Sequence, residues 1–287
     1  MTIQKHIFGG LFILCLLLST SMTGQEFGFG IKAGLSFSTF NGETLEGESF
    51  DTKSGFHVGP SFTFRFNDLF SLRAEFLYNQ LGTEYEYEGP SYFVLRTASE
   101  RQDIVFGDKD MSQSIFLNYF DIPLQAAFKL GNVIELYAGV NILLLPGATG
   151  GGVIDFTNPD NTDQSFRVNL DYAYNRDDAM AGADSEVRDI RFDRTTYSVP
   201  QRLGAYYDHS EKDGRTFNTV DFGLHAGTRI FFNDALYLAV RGYYGLSDVT
   251  NNDMDIHQRR DATERELKFS DETDRNFSIQ LSLGFSF

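Results

Sequence analysis

The sequence predicts an all-β protein: an eight-stranded antiparallel transmembrane β-barrel with short periplasmic turns and long extracellular loops. Three observations predict this fold. Apolar and polar residues alternate over eight segments of the chain. The connections between these segments are either very short or long. Beyond the first 25 residues, no stretch approaches the roughly 18 consecutive apolar residues that indicate a membrane helix.

The start of the chain has the pattern of a secretory signal peptide. A short basic beginning precedes an apolar run over 7–18, and small and polar residues follow it. We expect 1–25 to be the signal peptide and 26–287 to be the barrel domain. The only cysteine, Cys15, lies within the apolar run, so the mature protein is expected to have neither disulfides nor a catalytic thiol.

Each of the eight segments has apolar side chains on one face and small, polar or charged side chains on the other. The last segment has an aromatic or aliphatic residue at every odd position from Phe277 to Phe287, and serine, glutamine or glycine at the even ones. A membrane strand needs roughly 9–11 such residues, with its apolar face toward lipid. A soluble lipocalin-like barrel would carry polar residues outside instead. The segments are 27–37, 56–66, 70–79, 116–130, 134–144, 216–232, 236–246 and 275–287.

The connections predict which end of the barrel faces outward. Three of them carry two-residue hairpin signals, namely Asn67-Asp68, Gly131-Asn132 and Asn233-Asp234. The other four, about 39–55, 79–114, 146–215 and 247–275, are predicted to be external loops. Acidic residues outnumber basic ones in the last two, by 13 to 8 and by 9 to 5. Alternation within 84–88 and 166–174 is expected to continue strands above the membrane.

The inward positions predict how the lumen is filled. Eight strands leave an interior that side chains occupy, and an unpaired charge there is costly. The inward charges nearly balance, with Lys32, Arg65, Arg73, Lys129, Arg229 and Arg241 against Glu75, Asp121, Glu135 and Asp221. Counting residues from the turns predicts a lumen ion-pair network of Lys32, Glu75, Asp121, His225 and Arg241. A broad open pore is not expected.

Two functional hypotheses compete with structural roles for polar residues. His225 follows Asp221 by four residues, and such a pair would suit a general base. A position near mid-membrane in a filled lumen favours a structural histidine, and we predict no enzyme activity. The oxygen-rich stretches 158–163 and 251–255 resemble calcium loops but lack the EF-hand glycine and distal glutamate. We expect solvated acidic loops there, with no metal and no cofactor.

Tyrosines lie near the predicted outer ends of several strands. They include Tyr78, Tyr85, Tyr87, Tyr92, Tyr243 and Tyr244. Aromatic residues concentrate where the lipid meets water, so the members at strand ends are expected to form an interfacial girdle.

Several strand and turn stretches resemble the PorT-like outer-membrane β-barrel family of Bacteroidota. They are Asn118-Tyr119-Phe120-Asp121-Ile122-Pro123-Leu124, Leu136-Tyr137-Ala138-Gly139, Asp221-Phe222-Gly223-Leu224, Tyr243-Tyr244-Gly245-Leu246-Ser247-Asp248 and the terminal Leu281-Ser282-Leu283-Gly284-Phe285-Ser286-Phe287. The resemblance implies an outer-membrane barrel. The founding type of the family takes part in type IX protein secretion. No role carries over residue by residue. Pro123 faces the lumen, and a proline within a strand requires a bulge or a local break in pairing.

The predicted location is the outer membrane. We expect the barrel to contact outer-membrane lipid and to act through its external loops as a binding or scaffolding component of the cell envelope. The alternative is an accessory role in protein secretion, of the type IX kind, with secretion or envelope proteins as partners, or a narrow channel. The formal charge of -16 argues against a nucleic-acid partner, which needs a basic face.

Overall fold

The structure is a computed structural model that describes residues 26–97, 101–182, 186–192, 195–261, 263, 268–269 and 271–287. The predicted signal peptide lies outside the described residues. The strands are β1 (Glu26–Asn41), β2 (Glu48–Arg65), β3 (Phe70–Glu75), β4 (Leu77–Arg96), β5 (Gln102–Leu130), β6 (Ile134–Thr157), β7 (Phe166–Tyr172), β8 (Val187–Phe192), β9 (Thr195–Pro200), β10 (Arg202–Leu203), β11 (Val220–Phe231), β12 (Leu236–Gly245) and β13 (Arg275–Ser286), with a 3-10 helix at Thr162–Gln164. No helix in these ranges has the length and apolar character to cross a membrane.

Eight strands close into an antiparallel ring. β1 pairs with β2 on one side and with β13 on the other. Around the ring, β2 pairs with β3 and β4, which together count as one strand, and these pair with β5. β5, β6, β11, β12 and β13 complete the circuit. The predicted eight-stranded barrel is confirmed.

A break in one strand lies opposite Pro123. β3 pairs with β5 up to Ala74, which lies opposite Leu124, and β4 resumes with Leu77 opposite Asp121. Proline has no N–H to donate to the ladder. On its other side Pro123 pairs with Asn141 of β6 without a shift. The expected interruption is therefore present, and it affects one neighbour only.

Alternation along the ring follows the predicted faces. The outward face carries a band of exposed phenylalanine, leucine, isoleucine and valine; Phe62, for example, is 53% exposed and Leu283 is also 53% exposed. The short turns hold their predicted chemistry. The Asn67 side-chain oxygen accepts hydrogen bonds from the N–H groups of Leu69 and Phe70, and Asn233 does the same for Ala235 and Leu236.

Two of the predicted external loops are mostly strand. The connection predicted at 39–55 shortens because β1 continues to Asn41 and β2 begins at Glu48. The one predicted at 79–114 shortens because β4 runs to Arg96 and β5 starts at Gln102. The continuation predicted at 84–88 is confirmed because β4 includes it, and the one predicted at 166–174 is confirmed over 166–172, where β7 pairs with β6. The reason is burial: on these extensions one face covers an apolar core outside the membrane.

That core belongs to a folded portion, here called the external body: the ends of β1, β2 and β4–β6 beyond the membrane-spanning segments, β7–β10, 201–219 and 247–274. Two clusters of buried side chains fill it. One surrounds Phe93, whose ring lies 4.7 Å from that of Phe166 and 5.8 Å from that of Phe156. The other includes Phe217, 4.7 Å from Tyr174. The external body is thus a packed structure continuous with the barrel wall.

The tyrosine girdle was predicted only in part. Tyr244 is 37% exposed on the outer face, as a girdle residue should be. Tyr243 instead faces the lumen and is buried, so the prediction was wrong for it. Tyr87 lies in the strand continuation that was predicted above the membrane, where it and Tyr92 are buried in the core of the external body.

Candidate functional site in the lumen and the external body

At the centre of the lumen, the carboxylate of Glu75 on β3 pairs with three cations. The Glu75 carboxylate lies 2.6 Å from Lys32 Nζ, 2.7 Å from Arg229 Nη2 and 3.5 Å from Arg241 Nη1. Each of these charged groups is 2% exposed or less. Four strands, β1, β3, β11 and β12, converge here because their inward positions fall at the same depth. Without its partners, a carboxylate so buried would carry a large desolvation cost.

Asp121 extends the same network to β5. Arg241 Nη2 lies 3.0 Å from Asp121 Oδ2, and Arg241 Nε donates to Gln280 Oε1 at 2.9 Å. The side chains of Asn141 and Asn79 also donate to Asp121, at 2.6 and 3.2 Å. The structure therefore brings four of the predicted network residues, Lys32, Glu75, Asp121 and Arg241, into direct contact.

A second layer, which the sequence-based network omitted, lies beside it. Arg73 Nη1 donates to Glu135 Oε1 at 2.8 Å, and Arg229 Nε lies 3.8 Å from the same oxygen. These residues were recognised as inward charges, but the stagger between neighbouring strands was unknown, so their partners were not. Together the two layers comprise four cations and three carboxylates: Lys32, Arg73, Arg229 and Arg241 with Glu75, Asp121 and Glu135.

The lumenal histidines are hydrogen-bonded to neutral side chains. His225 contacts the side-chain oxygens of Asn141 and, at 2.9 Å, Gln125. It touches the ion-pair network only through these amides. Asp221 instead accepts hydrogen bonds from Tyr243 Oη at 3.0 Å and Asn276 Nδ2 at 2.8 Å. The His225–Asp221 pair of the general-base hypothesis is not formed.

Tyrosine rings fill the space between the charges. The guanidinium of Arg229 lies 4.5 Å from the ring centroid of Tyr237 and 5.4 Å from that of Tyr137. Glycines make room for these rings: a Cβ on Gly284 would lie 2.1 Å from Tyr237 Cζ, and one on Gly227 would lie 2.6 Å from Tyr137 Cζ. The lumen is therefore packed with paired charges and aromatic rings.

The external body encloses a cavity of about 140 Å³ above the lumen. Its walls combine aromatic and aliphatic side chains with nearly as many polar and charged ones. The apolar lining comes from β1, β2, β4, β5, β6 and the segments after β6, and includes Phe40, Phe50, Tyr85, Phe93, Met111, Ile115, Ile154, Tyr172, Tyr174, Leu203, Tyr207, Phe217 and Met254. Such a volume has room for on the order of ten water molecules. Small-molecule sites are usually concave and combine apolar walls with polar groups that fix the ligand's orientation.

Five carboxylates line this cavity: Glu48, Asp208, Asp255, Glu272 and Asp274. Burial, together with the nearby carboxylates of Asp274 and Glu48, raises the pKa of Asp255 to about 7. Burial likewise raises the pKa of Asp274 to about 6, although a hydrogen bond from Thr250 opposes the shift. Asp255 and Asp274 thus line the same cavity in a poorly solvated setting.

Basic groups are few in the cavity wall. Lys109 is the only lysine in the described lining, which includes no arginine. Its Nζ donates to Gln258 Oε1 at 3.0 Å and lies 4.7 Å from the ring centroid of Tyr92, while burial lowers its pKa to about 8. His209 contacts the backbone oxygen of Met254 through Nε2 at 3.1 Å, and burial lowers its pKa.

The sequence analysis singled out one stretch of this site, 251–255, but did not predict the cavity to which it belongs. Asp255 belongs to the oxygen-rich stretch 251–255, but Asp253 is exposed and Asn251 donates to the backbone of Arg215. In 158–163, Asn158 and Asn161 cap their own turn through contacts with Asp160 and Asp163. The described residues contain no group of three metal-ligating side chains arranged to hold an ion. Glu48, Asp255 and Asp274 are far apart in sequence, so no local pattern predicts their meeting.

The chain is similar to several solved structures of outer-membrane proteins. Ail, the attachment invasion locus protein of Yersinia pestis, has 11% sequence identity, with 91% of this chain and 99% of that chain covered and a TM-score of 0.36. Neisserial surface protein A has 10% identity, 90% and 97% coverage and a TM-score of 0.35. OprG from Pseudomonas aeruginosa has 11% identity, 92% and 97% coverage and a TM-score of 0.35. Likenesses of this size carry no argument about function. No curated protein matches the sequence.

A family model shows the relationship directly. The model described as "Outer membrane protein beta-barrel domain" matches residues 20–251, which is most of the chain. The match spans seven of the eight ring strands and all of the external body except 252–274. It agrees with the closed ring and its lipid-facing apolar band. The chain therefore belongs to the outer membrane protein β-barrel family, and its location is the outer membrane.

Proposed function

We propose that this protein is a non-conducting outer-membrane barrel that acts through its external body as a binding or scaffolding component of the cell envelope. The observation that carries the proposal is the contrast between the two interiors of the molecule. The lumen is packed with ion pairs, whereas the external body has its own apolar core and a cavity. The proposal assigns no catalytic step to the chain.

The lumen supports a closed barrel. A conducting path would have to separate Glu75 from Lys32, Arg229 and Arg241, or displace the tyrosine rings packed on Arg229. Breaking a buried ion pair leaves an uncompensated charge, and the typical cost is about 3–5 kcal/mol. Because Glu75 pairs with three cations at once, opening the lumen there is costlier than breaking a single pair. The narrow-channel alternative is accordingly less well supported.

The external body supports a binding role. Binding residues commonly lie on loops held by a rigid scaffold, and here continuous strands provide the scaffold. β5 extends from Gln102 in the external body to Leu130 at the periplasmic end. The surface is acidic overall, which favours cationic partners and disfavours nucleic acid. The apolar band of the barrel is proposed to contact outer-membrane lipid.

A relationship to PorT-like barrels remains part of the proposal. The stretch Asn118–Leu124 that carries the resemblance builds the lumen: Asp121 binds Arg241, Pro123 interrupts the neighbouring ladder, and the Tyr119 hydroxyl accepts a hydrogen bond from Asn276 at 3.1 Å. These are architectural positions. They favour a shared barrel design and leave an accessory role in secretion as the second candidate.

Two measurements test the proposed function. The purified full chain in a planar bilayer should give no steady ion current, with an open porin in the same bilayer as the control for sensitivity. A reproducible unitary conductance would contradict the closed lumen.

Site-specific photo-crosslinking on intact cells then separates the two candidates. A crosslinking residue at Glu86, exposed on β4 in the external body, should capture a partner, whereas one at Asp68 in a periplasmic turn should not. Capture at Asp68 alone would overturn the external binding role and favour the secretion accessory.

A further inference from the structure

Acidic side chains outnumber basic ones in the described lining of the external cavity, with five carboxylates, one lysine and two histidines. Three of the carboxylates, Glu48, Asp255 and Asp274, come from the start of β2 and from two places in the 247–274 segment. Their mutual repulsion contributes to the raised pKa of Asp255, and Asp248 and Glu272 add to it. Lys109 is already directed to Gln258 and the Tyr92 ring. Buried carboxylates are costly, so packing alone does not explain why acidic side chains concentrate here.

Several polar groups at the cavity also lack partners. Asp274 is 5% exposed, and its Oδ1 has no hydrogen bond although Oδ2 accepts one from Thr250. His209 is 8% exposed, and its Nδ1 is likewise unpartnered. The side chain of the half-buried Asp255 makes no hydrogen bond to another described residue either. Buried polar groups without partners, such as those of Asp274 and His209, are rare and call for an explanation. All three residues line one cavity.

The walls of the cavity indicate what kind of cation fits. Phe50 and Tyr85 pack with ring centroids 5.4 Å apart, and Tyr172 and Tyr174 at 5.5 Å. Aromatic faces attract ammonium groups, and methionine and isoleucine in the lining suit an apolar body. A bare metal ion fits less well, since no group of three ligating side chains is arranged for one among the described residues. An anionic ligand would be repelled by the carboxylates.

We propose that the cavity of the external body binds a small organic cation: an ammonium group held between Asp255 and Asp274, with an apolar or aromatic body against the tyrosine and phenylalanine walls. The cavity volume suits a ligand of about ten non-hydrogen atoms. This inference rests on the proposed function, since it names a ligand class for the same external body. It requires no change in the barrel.

Isothermal titration calorimetry on the full chain tests the proposal directly. Three chloride salts serve as probes: phenethylammonium, 1,5-pentanediammonium and choline. The detergent is a non-ionic maltoside and the buffer is phosphate at pH 8, because amine buffers and phosphocholine detergents would compete. We expect at least one probe to bind, and 2-phenylethanol, the neutral analogue of phenethylammonium, to bind at least about tenfold more weakly. Absence of binding by all three salts, or equal binding by the alcohol, would overturn the proposal.

Matched variants locate the site. Asp255→Asn and Asp274→Asn should each weaken ammonium binding about tenfold or more, whereas Asp253→Asn, an exposed carboxylate on the same segment, should leave it within about twofold. Equal effects of Asp253→Asn and Asp255→Asn would show a diffuse charge effect and overturn the assignment. The assignment is also overturned if calcium, titrated in borate buffer because phosphate would precipitate it, binds more tightly than every ammonium salt and loses this binding in Asp255→Asn.

The crosslinking experiment at Glu86 keeps the two proposals separable. If Glu86 still captures a partner and no ammonium salt binds, the cavity inference fails and the external binding role stands. If ammonium binds but only Asp68 captures a partner, the external scaffolding role fails while the cavity remains a site.

Discussion

The lumen and the external cavity are two polar interiors of one chain, and they treat carboxylates in opposite ways. In the lumen, three carboxylates meet four cations, and Glu75 alone contacts Lys32, Arg229 and Arg241. In the external cavity, the described lining has five carboxylates, one lysine and two histidines. β1, β2 and β4–β6 contribute side chains to both interiors.

The difference separates the charges of the lumen, which stabilise the fold, from those of the external cavity, which are proposed to bind a ligand. Inside the membrane an unpaired charge cannot be hydrated, so the barrel folds only if its buried charges are paired. Outside it, an incompletely paired cluster can persist by taking up protons, at a cost in stability that a bound cation would remove.

The largest effect is expected from removing the lumen's central carboxylate. Glu75→Gln keeps the shape but leaves Lys32, Arg229 and Arg241 facing a neutral amide. The free energy of unfolding should fall by about 5 kcal/mol, the upper end for a broken buried pair. Urea unfolding in lipid vesicles, followed by the shift in gel mobility between folded and unfolded barrels, measures it. Glu86→Gln, on the exposed face of β4, is the matched control. A loss below about 1 kcal/mol would contradict the central role of Glu75.

A smaller loss is expected for Arg241→Met. Glu75 then keeps Lys32 and Arg229, and Asp121 keeps the amides of Asn79 and Asn141. The free energy of unfolding should fall by about 3 kcal/mol, measured in the same unfolding assay. Unchanged stability would show that the network gives the lumen its shape without holding it together.

The barrel could be predicted from the sequence because the residue patterns that indicate it are local. Alternation, as in 277–287, follows from lipid on one side of the wall and packed polar groups on the other. The turn asparagines act on their immediate neighbours, so they were recognisable as well. Even the interruption opposite Pro123 follows from one missing N–H.

The external body could not be predicted from such local patterns. Its strands bury one face against an apolar core instead of lipid, and their acidic outer positions resemble solvated loops. The stretch 84–88 was recognisable as strand, but its position over a second core was not. The cavity residues Glu48, His209, Asp255 and Asp274 come together through the fold alone, and the stagger that brings Arg229 beside Glu75 is set by strand pairing.

The raised pKa values of the cavity acids predict an unusual dependence on pH. Asp255 has an unfolded pKa near 3.8 and a folded pKa of about 7, so the folded state holds the proton more strongly. Its contribution to stability is present below pH 4 and is lost as the pH rises through 7. The stability of Asp255→Asn relative to wild type should therefore increase by about 2.5 kcal/mol between pH 5 and pH 8.

Thermal unfolding followed by near-ultraviolet circular dichroism of the tyrosines measures this difference at each pH. Taking the difference between wild type and Asp255→Asn cancels the titration of His209, whose lowered pKa acts in the opposite direction below pH 6.5. A variant that loses stability relative to wild type as the pH rises would show that Asp255 is paired after all.

The smallest effect expected comes from the only lysine in the described cavity lining. Lys109→Met removes a positive charge and leaves the carboxylates unopposed, so phenethylammonium should bind about three- to tenfold more tightly at pH 7. Lys212→Met is the matched control: Lys212 Nζ also lies over a tyrosine ring, 4.2 Å from the centroid of Tyr206, but outside the cavity lining. Because burial lowers the pKa of Lys109 to about 8, the gain should shrink by pH 9, where the wild-type lysine is already neutral. A gain that persists at pH 9 would mean that the lysine acts by occupying space, and the charge contrast between the two interiors would then rest on the carboxylates alone.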